Sequence, residues 1–223
     1  MPIPHGRIMV KTDIEAYQSY TGLRNWFNKL WLSEQLGYYC GPAGVAPKKS
    51  AKYIVRPIMN LVGMSAGAKM KWIDAGDNSK VEPGYFWCEL FEGPQLSIDY
   101  RWVGKWEPIS CWEATVDPEN LYMFKKWTRS SSFIEIGLFF DEIADHNVTE
   151  LNVEFVGGNA IEVHFRHSPD PDYDELIPIW EGDEKKVDIL NRLGYKYISD
   201  YDDAGGNIPT PRLGFMVINS KGD

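Results

Sequence analysis

A chain of 223 residues supplies enough material for one large domain or two small lobes with a sizeable core. Its net charge of −9 argues against non-specific binding to nucleic acid or an anionic membrane. A hydrophobic content of 43%, with nine Trp, twelve Tyr and ten Phe, argues against disorder. Cys40, Cys88 and Cys111 are far apart and lack CxxC spacing, so neither a zinc site nor a disulfide framework follows. Reduced, mostly buried thiols are the expectation. The opening MPIPHGRIMV is not a secretory signal, and no apolar run approaches membrane-spanning length. The expectation is a soluble cytoplasmic protein.

In chain order, Tyr17, Tyr20, Leu23, Trp26, Phe27, Leu30, Trp31 and Gln35 recur at helical spacing, with Gly37 as the stop. Residues 37–50 read as a loop by their Gly and Pro content. Lys52–Ile58 reads as a strand ending at Pro57 and carries Arg56. The small-residue stretch from Gly63 to Lys69 follows, either an anion nest of consecutive amides or a plain hairpin connection. Tyr85–Phe91 reads as a buried strand, Glu92-Gly93-Pro94 as a break, and Leu96–Val103 as a returning strand. Residues 107–118 add one more strand. A helix over 119–129 is expected next, with Lys125, Lys126 and Arg129 on a solvated face. The run FIEIGLFF fits strand and helix equally well. Near the end, Asp183–Leu193 reads as an amphipathic helix stopped by Gly194, and Gly214–Ile218 as a final strand.

The most informative stretch runs from Thr149 to Pro171. Two alternating strands joined by Gly157-Gly158-Asn159 read as a hairpin. A three-residue loop sets Glu154 opposite Glu162 and Asn152 opposite His164. Period-2 alternation gathers these four with Arg166 on one face. Val153, Phe155, Ile161, Val163 and Phe165 fall on the core face. Two carboxylates facing each other repel unless a cation lies between them. Hard oxygen ligands on neighbouring strands suit Mg2+, especially Mg2+ that arrives with nucleotide phosphates. A half-exposed hairpin whose polar face merely meets water is the bland alternative.

The spacing of Glu154 with Glu162-x-His164-x-Arg166 resembles the closing motif of the ATP-grasp superfamily, an acidic residue followed across a hairpin by Glu-x-Asn. Two further segments resemble that family in the right order: Glu89-Leu90-Phe91 before the Glu92-Gly93 turn, similar to its adenine hinge, and Asp99-Tyr100-Arg101, similar to the Asp-x-Arg of its ligases. The resemblance, spanning about 52–170, implies an α+β fold with two antiparallel-sheet lobes sandwiching the nucleotide. It implies a reduced helical segment over 1–50, a small lobe over about 51–90 and a large lobe over about 91–223. The cofactors implied are ATP and Mg2+. Glu154, Glu162 and His164 are the implied metal ligands, His164 standing where the family has Asn, and imidazole is a poor ligand for Mg2+. Arg56 and Lys69 are the implied phosphate ligands, with Lys71 nearly as good as Lys69. Glu89, Leu90 and Phe91 line the adenine; Arg101 and Arg166 serve catalysis. The implied reaction joins a small-molecule or peptide carboxylate to an amine through an acyl phosphate, releasing ADP. A phosphotransferase on the same lobes, or a nucleotide-binding or structural protein without catalysis, is the alternative. The family has ~100 residues, a domain's worth, before its ATP-binding lobes. A homo-oligomer, or a partner subunit supplying that domain, is therefore a further expectation.

Overall fold

Three short helical segments replace the single helix that the spacing predicts over 11–36. The computed structural model describes residues 10–117 and 119–219, so the first nine residues, with the signal-free start read from them, and Pro118 lie outside the described residues. Helix α1 (Asp13–Ser19) is capped by Thr12, whose side chain accepts from the Glu15 N–H. A 3₁₀ turn over Thr21–Phe27 leads to Asn28, which has extended backbone and caps α2 (Lys29–Gln35) by accepting from the Trp31 N–H at 2.9 Å. Asn28 therefore starts a second helix where apolar periodicity alone continues the first. Half of the predicted stripe is buried: Tyr20, Leu23, Trp26 and Phe27 lie in the core, while Tyr17, Leu30 and Trp31 are half-buried and Gln35 is exposed. Gly37, at φ 76°, ends α2 as expected.

The small lobe is a four-stranded antiparallel sheet made of β1 (Cys40–Pro42), β2 (Ala51–Pro57), β3 (Lys69–Ile73) and β4 (Tyr85–Glu89), in the order β1-β4-β2-β3. Strand β1 falls in the stretch expected to be loop. It is three residues long, too short for a periodicity to be read.

Beyond the break at Glu92-Gly93-Pro94, the large lobe adds β5 (Gln95–Trp102), β6 (Trp106–Thr115), β7 (Lys126–Arg129), α3 (Asp141–Ala144), β8 (Glu150–Val156), β9 (Asn159–His164), β10 (Glu175–Trp180), α4 (Glu184–Arg192), β11 (Lys196–Asp202) and β12 (Arg212–Ile218). Its eight strands lie in the order β11-β12-β10-β7-β6-β5-β8-β9, antiparallel throughout. This two-lobed α+β arrangement of antiparallel sheets is the expected fold. Strand β7 corrects the helix expected over 119–129. Trp127 packs with Trp112, Leu176, Phe215 and Val217, and this long-range burial overrides local helix propensity. The run 133–140 forms neither strand nor α-helix, having no regular structure until a 3₁₀ turn at Leu138–Phe140. Among the described residues no helix is long and apolar enough to cross a membrane.

One face of the β5-β8-β9 region holds the main core. Leu96, Ile98, Val153, Phe155, Val163 and Phe165 meet the aromatic stripe of the N-terminal helices there, with Phe27 edge-on to Phe165 at 4.9 Å. The opposite face is left to polar residues.

The connection between the lobes touches the β8-β9 turn very closely. The Gly157 N–H donates to the Pro94 carbonyl at 3.0 Å, and a Cβ on Gly157 would sit 1.9 Å from the Glu92 carbonyl oxygen. Gly157 and Gly158 both have left-handed backbone, at φ 57° and 84°, but a Cβ on Gly158 meets nothing within 4 Å. Gly158→Ala should therefore lose only about 1–2 kcal/mol, the left-handed backbone term. Gly157→Ala should lose a further ~1–3 kcal/mol through the clash. Equal losses in urea unfolding would show that the turn and the inter-lobe connection are not in contact.

Candidate functional site

The β8-β9 hairpin sets Glu154 directly opposite Glu162 and Asn152 opposite His164. The route to that register differs from the expected three-residue loop. Val156 pairs with Asn159, leaving a two-residue Gly157-Gly158 turn whose positive φ values are those of a type I′ hairpin. Phe155 then pairs with Ala160, and Ile161 is the extra residue of a bulge. Ala160 takes the core place expected of Ile161, which lines an inter-lobe cleft instead.

On the polar face, one ligand atom each of Glu154, Glu162 and His164 lie within 4.8 Å of one another. His164 Nε2 is 3.8 Å from an oxygen of either glutamate. Its Nδ1 is 2.8 Å from Asp13 Oδ2, which also accepts from Arg166 Nη2 at 2.9 Å. Lys29 Nζ donates to Glu162 Oε2 at 2.8 Å. The repulsion foreseen between the glutamates is thus offset by the protein's own cations. Burial alone would push Glu162 up, but Lys29, His164 and Arg56 outweigh it and hold the carboxyl below its ordinary value. Burial would likewise push His164 down. Asp13, with the two glutamates, instead raises the imidazole to about 10. Asp13 itself is brought to about 2, because His164 and Arg166 outweigh its burial.

Lys29 and Asp13 were not singled out by sequence reasoning. Asp13 sits in the first turn of a helix, where an acid is expected for helix electrostatics and gives no functional signal. Lys29 did offer one. A cation directly after the Asn28 cap opposes the helix dipole, so a structural helix gains nothing from it.

Between the lobes lies a cleft of about 190 Å³. Lys29, Arg56 and Glu162 line its polar end. Glu89, Leu90 and Phe91 line it at the inter-lobe connection, and Ile54, Met70 and Val156 supply apolar walls. The Glu89 carboxylate accepts from the Tyr39 N–H at 2.7 Å, and Phe91 packs against Tyr38 at 4.7 Å. Arg56 is buried beside the Phe86 ring, 5.2 Å away, and its Nε has no hydrogen-bond partner among the described residues. Ser65, Ala66 and Ala68 bring the small-residue loop to the cleft, and Met64 and Ser65 adopt left-handed backbone there, at φ 54° and 49°.

Two expected site residues stand apart. Lys69 is exposed at the start of β3 and does not line the cleft, while Lys71 donates to the Lys80 carbonyl on the surface. Arg101 is exposed near the end of β5, in register with Glu107 and Glu150. Its motif partner Asp99 is buried on the polar face, accepting from Ser110 Oγ, Asn152 Nδ2 and the Ser168 N–H.

The donor set fits a nucleotide carrying a metal. Glu154 and Glu162 present hard oxygens on adjacent strands, as Mg2+ requires. Arg56 keeps a buried N–H without an acceptor, a vacancy that a phosphate oxygen would fill. His164 adds a nitrogen that Mg2+ does not favour, so the two glutamates are the fitting ligands.

No protein-family model matches the sequence, and no curated protein matches it either. Solved structures do. The N5-carboxyaminoimidazole synthetase of Staphylococcus aureus, complexed with ADP, superposes with a TM-score of 0.54 at 11% identity, covering 90% of this chain and 69% of that one. The fold is that of the ATP-grasp proteins. An L-amino acid ligase from Bacillus licheniformis aligns at TM-score 0.42 and 15% identity, over 66% of this chain and 42% of that chain. Carboxyaminoimidazole ribonucleotide synthase from Aspergillus clavatus, complexed with ATP, aligns at TM-score 0.44 and 10% identity, over 70% of this chain and 50% of that one. The chain thus spans half or less of the length of these last two.

Proposed function

We propose that this protein is an ATP-dependent carboxylate–amine ligase that forms an amide through an acyl phosphate and releases ADP. The observation that carries the reading is the inter-lobe cleft, whose apolar end meets Glu89-Leu90-Phe91 and whose polar end joins Arg56 and Lys29 to the Glu154–Glu162 pair. Glu154 and Glu162 would hold Mg2+, which when bound neutralises charge on the β- and γ-phosphates. Arg56 and Lys29 would bind phosphate oxygens, Lys29 taking the part expected of Lys69. The backbone beside Leu90 and Phe91 would meet the base. A substrate carboxylate oxygen attacks the γ-phosphorus as the bond to ADP breaks. The amine nitrogen then attacks the acyl carbon, phosphate leaves, and the nitrogen gives up its proton. Arg166, fixed by Asp13, would orient the acid.

The test is calorimetry with Mg-ATP, followed by product analysis. ADP and phosphate released only with both acid and amine support a ligase; AMP and pyrophosphate rule out the acyl-phosphate route. Arg56→Ala should lower turnover on the order of 10²–10³-fold, the loss of one buried charge-stabilising donor. A second reading, nucleotide binding without catalysis, is favoured by the Lys29–Glu162 pair, which already neutralises one carboxylate. ATP affinity unchanged by EDTA would support it.

A further inference from the structure

We propose that Cys40 and Cys88 are a site of reversible covalent oxidation, forming a cross-strand disulfide in the wall of the inter-lobe cleft. The two residues stand directly opposite each other on antiparallel β1 and β4. Residues so opposed send their side chains to the same face. Opposed pairs alternate between two kinds, one that exchanges both backbone hydrogen bonds and one that exchanges neither. The Glu89 N–H donates to the Tyr39 carbonyl at 2.9 Å, and the Ala43 N–H donates to the Tyr85 carbonyl at 3.1 Å. Tyr39–Glu89 and Ala43–Tyr85 are thus pairs of the bonded kind. Pro42 has no N–H to give, and its pairing with Phe86 falls on the other kind, as the alternation requires. Cys40–Cys88 is two places from Pro42–Phe86 and so also lacks backbone hydrogen bonds. Such pairs bring their Cα atoms to about 4.5 Å, inside the ~4.4–6.8 Å span of disulfides.

All three cysteines are free thiols, and Cys40 is the most exposed of them. Cys111 is buried in the large-lobe core, where its Sγ donates to the Ser132 carbonyl at 3.7 Å. An oxidant therefore meets Cys40 first. A small-molecule disulfide such as oxidised glutathione supplies that oxidant. The Cys40 thiolate attacks one of its sulfurs, and the S–S bond breaks to release a thiolate. Cys88, having lost its proton, then attacks Cys40 Sγ; the protein disulfide forms and the second thiolate leaves. Two protein thiols give up two electrons and two protons, and the oxidant takes them up as two thiols. Burial, Cys88 and Glu34 push the Cys40 thiol up to about 12 against the pull of Arg56. Burial pushes Cys88 up to about 11, again against Arg56. Thiolate is scarce at neutral pH, so the pair stays reduced through brief exposure and oxidises under a lasting supply of oxidant.

Cys40, Cys88, Ile54 and Met70 form one row across the small-lobe sheet, each opposite the next. Cys88, Ile54 and Met70 line the inter-lobe cleft. Strand β1 is only three residues long and lies at the sheet edge, whereas β4 ends in Glu89 at the inter-lobe connection. The disulfide closes the chain between 40 and 88 into a loop and ties the short edge strand to β4. Oxidation thus stiffens the cleft wall, and reduction releases it.

The experiment incubates the full chain with oxidised glutathione, blocks free thiols with iodoacetamide, and reads the product by intact mass and non-reducing peptide mapping. The expected product has lost the mass of two hydrogens, yields a Cys40–Cys88 linked peptide and keeps one alkylated thiol, Cys111. Its thermal midpoint should lie about 5–10 °C above that of the reduced protein, as a disulfide closing a long loop predicts. Dithiothreitol should restore both mass and midpoint. Cys40→Ala should abolish the link and the shift, whereas Cys111→Ala should keep both. Three thiols still alkylated after the incubation overturn the proposal. So do a lasting glutathione adduct on Cys40 without the link, and a link that includes Cys111. A linked form whose midpoint does not rise overturns the stiffening of the wall.

Discussion

Replacing Asp13 with alanine should lower the unfolding free energy by about 3–5 kcal/mol, the usual cost of removing one partner from a buried ion pair. Asp13 is 3% exposed and bonds both His164 and Arg166, so its loss leaves two buried cations facing each other. Urea unfolding measures the effect, and a loss below ~1 kcal/mol, the value of an exposed pair, would show the network to be dispensable. The same network sets the pH dependence of the metal-free protein. Asp13 is lowered from 3.8 to about 2, so its contribution is complete above 3.8 and is lost as pH falls through about 2. His164 is raised from 6.5 to about 10, so its contribution is complete below 6.5 and is lost as pH rises through about 10. Stability from this network should therefore be greatest between pH 3.8 and 6.5. Asp13→Ala should flatten both limbs.

Glu162→Gln should have two effects that pull apart in assay. Nucleotide binding should lose its dependence on Mg2+, because one of two facing carboxylates is gone. The hairpin seen alone predicts that the ligand-free protein gains from this change, by relief of repulsion. With Lys29 only 4% exposed and its Nζ on Glu162, the opposite is expected: a loss of about 3–5 kcal/mol from a stranded buried cation. The double variant Lys29→Met with Glu162→Gln should recover much of that loss, since an apolar replacement of the cation removes its desolvation cost. A single variant as stable as the parent would mean that Lys29 swings out to water.

What the sequence revealed of this site, and what it hid, follows from range. Glu154, Glu162, His164 and Arg166 were legible because strand alternation is local and a short turn fixes register; the bulge at Ile161 even restored the register after the turn proved shorter. The place of Arg56 at the cleft was legible through β2, and the inter-lobe connection through the Glu92-Gly93-Pro94 break. Asp13 and Lys29 meet the hairpin from 151 and 133 residues away, and no local pattern encodes such a meeting. The same holds for β7, whose Trp127 was read as helical because its partners Leu176 and Phe215 lie far along the chain. Arg101 shows the converse. Its motif was visible, yet Asp99 is the motif residue turned into the polar network.

Strand β9 is the outermost strand of the eight-stranded sheet, and its free side is where another chain could add itself. The N-terminal helices sit against this strand: Lys29 reaches Glu162, Asp13 reaches His164, and Phe27 lies on the adjoining Phe165. They act as a guard against intermolecular sheet growth at the edge that carries Glu162. The opposite edge, β11, carries Lys196, Asp200 and Asp202, charges that discourage pairing. One edge is shielded by packing and the other carries charge, and the packed edge also holds an apolar-backed, electrically balanced site.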